Sequence, residues 1–341
     1  MMRYLCIAYS GIKEIHKNLS ACMHLTTLNI GSNKILDISG LKALKSLTAL
    51  YLDSNEISNI SVLNELKNLT KLGLSSNKIT DISTLKDLKN LTELSLRRNK
   101  ISDISVLKNL KNLTELSLAD NQISDISEIQ ACLSLEKLNL SSNQISDISV
   151  LKKLKTLRTL ISVNNQISDI STLKNLSGLI ELFLSYNQIS DTSALKDLSC
   201  LTELRLGHNR ISDISAFKDL KDLTRLNLEE NQLVDISALK DLKELTELSL
   251  LNNKITDISA LEKLKKLTKL ELAKNPIKKL PNWICDFPYM GVYWNEVIET
   301  DYWGDEISRP YKSGILLYGN PIENPPPEII KKRQRSNYRL V

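Results

Sequence analysis

No stretch of this 341-residue sequence comes near the roughly 20 consecutive apolar residues that cross a bilayer. Its start, Met1-Met2-Arg3-Tyr4-Leu5-Cys6-Ile7, has neither a continuous apolar run nor a small-residue cleavage site. It does not read as a secretory signal, and the expected location is cytoplasmic. Cysteine is sparse, five residues with no Cys-x-x-Cys spacing, which supplies neither a disulfide framework nor a zinc site. The three histidines, His16, His24 and His208, lack the spacing of a metal pair. His-Glu-x-x-His, Gly-x-Ser-x-Gly and the Gly-x-x-x-x-Gly-Lys-Ser/Thr phosphate loop are all missing. No catalytic residue, cofactor, metal or small-molecule substrate is therefore expected, and the chain does not read as an enzyme. Aromatics are only 5% of the residues, and glycine (10) and proline (8) are few. Such a leucine-rich, aromatic-poor composition suits a thin stacked core better than a thick globular one.

Formal net charge is a modest +5. Lys331, Lys332, Arg333, Arg335 and Arg339 crowd into the last eleven residues, which read as a solvated basic tail.

What the sequence does have is a period. Asparagines from Asn33 to Asn275 follow one another at intervals of 22, twelve in register. Ahead of each stands Leu-x-x-Leu-x-Leu, as in Leu91, Leu94 and Leu96 before Asn99; after it come Ile101, Ile104, Leu107 and Leu110. Seven apolar positions per period, at this spacing, are the leucine-rich-repeat signature. The alternating Leu-x-Leu is a short strand with one face inward. Stacked periods put these strands about 4.8 Å apart in one parallel sheet. The second apolar group carries the chain back on the other side as a short helix or 3-10 turn. One coil alone leaves its faces wet; a stack buries them, and stability becomes a sum over neighbours. The fold class that follows is an α/β repeat solenoid, a curved rod with a parallel sheet on its concave face and short helices or 3-10 turns on its convex face.

Two ladders accompany the apolar ones. At the bend after each strand, backbone groups turn inward, and an asparagine amide has the donors and acceptor to satisfy them. The Asp-Ile-Ser that follows, as in Asp103-Ile104-Ser105, suits the start of a helical turn. A calcium stripe would need several oxygens converging on one point, which one Asp per coil does not supply. Cys22 and Cys132 stand where leucine recurs and read as small core residues.

Four regions are expected. Residues 1–24 form a degenerate first coil, with Ser10 in the asparagine position and no separate cap. The repeats run over 25–284. Residues 285–330 form a capping region rich in Tyr and Trp, with an acidic cluster from Glu296 to Glu306, and a last coil at Ile315–Ile322 that Pro325-Pro326-Pro327 stops. The basic tail is 331–341.

The unit Asn-x-Ile-x-Asp-Ile-Ser-x-Leu-x-x-Leu-x-x-Leu-Thr-x-Leu-x-Leu resembles the Sds22-like repeats shared with bacterial internalins, over residues 25–280. The resemblance implies protein binding on the concave face and no catalysis. The internalins' signal, helical cap and following immunoglobulin-like domain have no counterpart here. The run from Gly314 to Ile330 is similar to the junction between repeats and GTPase domain in bacterial Roco-type proteins. Without a phosphate loop, that likeness implies a stand-alone, truncated or split repeat module.

Surface positions suggest where a partner sits. Outward strand positions are mostly Ser, Gly, Asn, Glu and Lys. Before Asn165 the strand reads Leu160-Ile161-Ser162-Val163, with Ser162 in an inward leucine position. The next coil adds Phe183 and Tyr186, and the one after adds Arg205 and His208. Exposed apolar and aromatic residues framed by arginine resemble an interface hot spot. Ile161, Val163, Phe183 and Tyr186 are the expected anchors, with Arg205 and His208 at the rim. A one-residue register slip that tucks Ile161 and Val163 inside is the alternative. On the outer face, rows of lysines (one from Lys42 to Lys240, another from Lys45 to Lys265) offer a track for a polyanion. Interleaved acids such as Asp87 and Asp197 weaken its field, and no aromatics stand among the lysines to stack bases. The leading expectation is a scaffold or recognition module for a protein partner. A regulatory subunit of an enzyme, phosphatase-like or a Roco-type GTPase acting in trans, and a polyanion-binding surface are the alternatives.

Overall fold

The structure is a computed structural model that describes residues 2–16, 19, 21–287 and 314–323, with the backbone of short strands at 292–293, 299–300 and 306–307. The chain divides into two compact units, Met1–Leu179 and Ile180–Val341. Both are built from the same coil, named below by its bend asparagine.

The first unit holds a parallel sheet of three-residue strands, from Tyr4–Cys6 and Thr27–Asn29 to Lys137–Asn139 and Thr159–Ile161, stacked in chain order. Its register equals the repeat, with Leu94 opposite Leu116 and Leu116 opposite Leu138. The seven apolar positions of the coil from Ile101 to Leu118 are all at most 3% exposed. Each such side chain contributes roughly 1.5–3 kcal/mol of gross burial, set against chain entropy of similar size.

The second unit repeats the plan with the strands Glu181–Phe183, Glu203–Arg205, Arg225–Asn227, Glu247–Ser249 and Lys269–Glu271. Beyond them the strand Gly314–Leu316 takes the next place in the sheet, with Ile315 opposite Leu270. Asn320 donates to the carbonyls of Leu272 and Leu317 at 2.9 Å, as a bend asparagine does. The strand Val292–Tyr293 pairs with it in turn, and Glu299–Thr300 pairs antiparallel with Glu306–Ile307. Near the end of the repeats Ile284 is buried, as is Phe287 just beyond, and Trp283 meets Phe287 edge-on at 5.8 Å. Most of residues 288–313, the Pro325–Pro327 run and the basic tail lie outside the described residues.

Between bend and next strand the chain makes 3-10 turns of three to five residues, such as Ser105–Asn109. No α-helix occurs among the described residues. The short period is the reason: only i→i+3 bonds fit, as from Leu107 N to Ile104 O and from Leu110 N to Leu107 O.

The asparagine ladder has the geometry its chemistry demands. Asn143 Nδ2 donates to Leu140 O and Ser141 O in its own coil and to Leu118 O in the preceding one, at 2.9–3.1 Å. Its Oδ1 accepts from Ile123 N at 3.0 Å. Asn231 makes the same set in the second unit. At the start of the chain Asn33 Oδ1 accepts from Ser10 N and Ile12 N, so the degenerate first coil is joined by its neighbour's asparagine.

The aspartates turn the chain by accepting the N–H of the serine two residues on, 2.7 Å for Asp103 and Ser105. That bond, with the serine hydroxyl, holds the carboxyls of Asp37, Asp81, Asp103, Asp147 and Asp169 below their ordinary value. A third ladder, of threonine, was not foreseen. Thr48 Oγ1 donates to Thr26 O and Thr70 Oγ1 to Thr48 O, and Thr224, Thr246 and Thr268 do likewise in the second unit. Cys132 is fully buried, and desolvation pushes its thiol up to about 11. Cys22 is only half-buried.

Candidate functional site

The residue before each bend asparagine is left-handed in every coil. From Ser32 to Lys274 its φ lies between 50° and 57°, and none of these residues is glycine. An L-residue there costs roughly 1–2 kcal/mol. A backbone bond to the adjacent coil offsets the cost, as from Tyr186 N to Gly207 O and from His208 N to Glu229 O, both 2.9 Å. The sequence gives no sign of this turn beyond the fixed spacing. Its effect is to project one side chain per coil from the rim of the sheet face.

In the second unit the first two of those side chains are Tyr186 and His208. One repeat apart, their rings stack with centroids 3.9 Å apart and planes within 12°. Tyr186 remains 52% exposed. Its phenol is raised above its usual value, chiefly by burial and then by Glu229 and Glu230. Phe183 and Arg205 are likewise register partners, and the guanidinium lies 4.7 Å from the ring centroid. The structure thus joins the four expected residues of this unit into two contacting pairs.

Arg205 is not a free rim charge, however. Its Nε donates to Glu203 Oε1 at 2.7 Å, while Arg225 Nε donates to Glu203 Oε2 at 2.7 Å. Glu203 is 3% exposed, and its hydrogen bond to Arg225, with its charge, raises that guanidinium above the usual arginine value. The residue that organises this face was therefore missed from sequence. A glutamate in an outward position reads as solvated; only the arginines at 205 and 225, two and 22 positions away, hinted otherwise.

A depression of about 640 Å³ opens beside these groups, between Tyr186 and His208 at one side and Lys274 and Tyr318 at another. Here the glycine matters: a Cβ on Gly207 would lie 2.7 Å from Asn227 Oδ1 and 2.8 Å from Glu229 Cγ. Its absence lets those side chains lie across the strand. Glu229 Oε1 is 3.8 Å from His208 Nε2.

The first unit presents a different face. A trough of about 440 Å³ has Gly73, Ser95 and Ser117 among its lining residues, with Tyr51 and Ile161 also on its walls. Two ion pairs lie on its surface, Lys71 with Glu93 at 2.6 Å and Lys137 with Glu115 at 3.0 Å, and Asp53 accepts from Ser75 N at 2.8 Å. Ile161 and Val163 stay on this outward face, half-buried, while Ser162 is fully buried. The register slip does not occur. Leu160 sits opposite Leu138 and Ile161 opposite Asn139, because a slip would turn Leu160 out to water. Asn165 Nδ2 meets the Ser162 hydroxyl at 3.1 Å, which helps satisfy a polar group in a leucine position.

The outer lysine rows are exposed, and some end in ion pairs, such as Lys45 with Glu65 at 3.3 Å. Among the described residues no group of three or more His, Cys, Asp or Glu is placed to hold a metal ion. No helix there is long and apolar enough to cross a membrane.

Stacked 22-residue coils with an asparagine ladder define a class, and the chain belongs to the leucine-rich-repeat family. Family models described as "Leucine Rich repeats (2 copies)" and "Leucine rich repeat" match successive segments from residue 23 to 285. Within that class the chain is similar to an internalin (InlF) of Listeria monocytogenes, at 36% identity over 79% of this chain and 86% of that one, TM-score 0.71. A leucine-rich-repeat protein of Leptospira interrogans shares 25% identity over 98% and 93% of the two chains, TM-score 0.73. A plant peptide hormone receptor, RGFR1, solved with RGF2, shares the fold at 22% identity over 85% of this chain and 58% of that one, TM-score 0.59. Comparison with curated protein sequences finds no match.

Proposed function

We propose that the chain is a non-enzymatic recognition module that binds a protein partner on its sheet face. In the second unit, Phe183 and Tyr186 serve as anchors, flanked by Arg205 and His208. The exposed Tyr186–His208 stack carries this reading. Rings fixed by backbone turns and by each other lose little conformational freedom on binding, and aromatic anchors commonly carry 2 kcal/mol or more at interfaces. Arg205, lying on Phe183 and tied to Glu203, holds its neighbour in place and presents a fixed guanidinium face. In the first unit, Ile161 and Val163 give the sheet face an apolar surface of its own. The internalin likeness and the receptor solved with its peptide hormone support protein binding as the general activity.

The test is affinity capture from native lysate with the full chain. Phe183→Ala combined with Tyr186→Ala should lose the partner, roughly thirtyfold or more in affinity, with the thermal midpoint little changed. Neutralising the outer lysine rows should mainly alter association rate and salt dependence. If the lysine variant loses the partner while the aromatic variant keeps it, the outer rows are the working surface and a polyanion becomes the better ligand.

A further inference from the structure

We infer that the depression in the second unit receives a basic segment of the partner, with a lysine or arginine side chain seated beside the Tyr186–His208 stack and against the carboxylates of Glu229 and Glu247. This rests on the protein-binding reading above and specifies the partner's chemistry.

Charge complementarity carries the inference. Positions six, four, two and one before the bend asparagine face out from the sheet. From the Asn187 coil to the Asn275 coil they hold six glutamates against four arginines and lysines, an acidic face on a chain of net charge +5. The cations present are already engaged. Arg205 and Arg225 both serve the buried Glu203, Lys269 lies 2.9 Å from Glu271, and Lys274 lies 5.6 Å from the Tyr318 ring. Ser249 supplies the second bond to Glu271, at 2.6 Å. What remains along the depression is acid. Among the described residues the Glu230 carboxylate meets the Asn252 amide, Glu229 meets His208 and the Ser249 hydroxyl, and Glu247, opposite Arg225 and Lys269 in the register and acting on Arg225 through its charge, makes no direct ion pair. All three line the same depression as Tyr186, His208 and Leu251.

The rings are the independent element. The half-exposed Tyr186–His208 stack adjoins these carboxylates, with His208 Nε2 3.8 Å from Glu229 Oε1, so a cation in the depression meets aromatic surface as well as negative charge. An acidic partner segment would meet Glu229, Glu230 and Glu247 without a free cation to answer it. A purely apolar one would leave those carboxylates desolvated and unpaired.

The experiment is an NMR titration of the full chain with a blocked seven-residue peptide alternating glycine with lysine and arginine, and with its glutamate counterpart. The expected result is that the basic peptide shifts amides at Tyr186, His208, Glu229, Glu230 and Leu251, while the acidic one shifts none of them. Glu229→Gln with Glu247→Gln should weaken the basic peptide at least tenfold; Glu230→Gln is the second variant should the pair unfold. Glu93→Gln with Glu115→Gln in the first unit should leave it unchanged. The basic peptide should also compete with the captured partner. Shifts spread over the acids of both units, or equal binding by the Glu229/Glu247 variant, would overturn the inference. If the peptide fails while Phe183→Ala with Tyr186→Ala still abolishes capture, the partner is a protein of other chemistry and only the basic-segment inference falls.

Discussion

The two units have the same kind of core and differ on one face. Inside, both stack leucines in a 22-residue register and close each bend with an asparagine. Outside, the first unit shows a trough lined partly by glycine and serine, with two lysine–glutamate pairs on its surface. The second shows stacked rings, a guanidinium over phenylalanine and a carboxylate buried beneath two arginines. A repeat scaffold separates the two jobs: inward positions are held by stacking with both neighbours, whereas outward positions contribute little to it and are free to diverge.

The largest expected difference concerns charge burial. Removing Arg205 and Arg225 together as alanines strands Glu203 in a site that is 3% exposed, which should cost about 3–5 kcal/mol in urea unfolding. Lys71→Ala in the first unit breaks a pair whose side chains are 45% and 39% exposed and should cost less than about 1 kcal/mol. Equal costs would erase the contrast between the two faces.

The shared core makes the opposite prediction. Asn143→Ala in the first unit and Asn231→Ala in the second should each cost roughly 1–3 kcal/mol, since each strands three carbonyls and one N–H. A cost within error in either unit would mean that water reaches those groups.

A smaller effect is expected in acid. The first unit's turn aspartates are more acidic folded than unfolded, so their contribution is complete above the ordinary aspartate value of about 3.9 and is lost as pH falls through the lowered folded values. The thermal midpoint should therefore decline below about pH 4, and Asp103→Asn with Asp147→Asn should flatten that decline. An unchanged slope would assign the acid sensitivity to other groups.

The last contrast is chemical. Cys132, buried with its thiol pushed up to about 11, should resist iodoacetamide at pH 8, while the exposed Cys200 of the second unit reacts. Equal labelling would show that the first unit's core opens on the labelling timescale.

Several site residues were legible because of the period. Phe183 with Arg205 and Tyr186 with His208 are 22 apart, so register alone makes them neighbours. Ser162 could be placed in a leucine position, but its burial could not be decided between two registers until Leu160 was seen opposite Leu138. Glu203 was missed because a carboxylate at an outward strand position is ordinarily wet.

The sequence by itself determined the repeat, the inward set of side chains and the bend asparagines. Each follows from a spacing that only one kind of stack satisfies. Tertiary structure decided the 3-10 turns, the left-handed residue before each bend and the burial of Glu203 under Arg205 and Arg225. Those depend on the directions in which side chains leave neighbouring strands and on how much water is left between them, and the spacing of residues along a chain encodes neither.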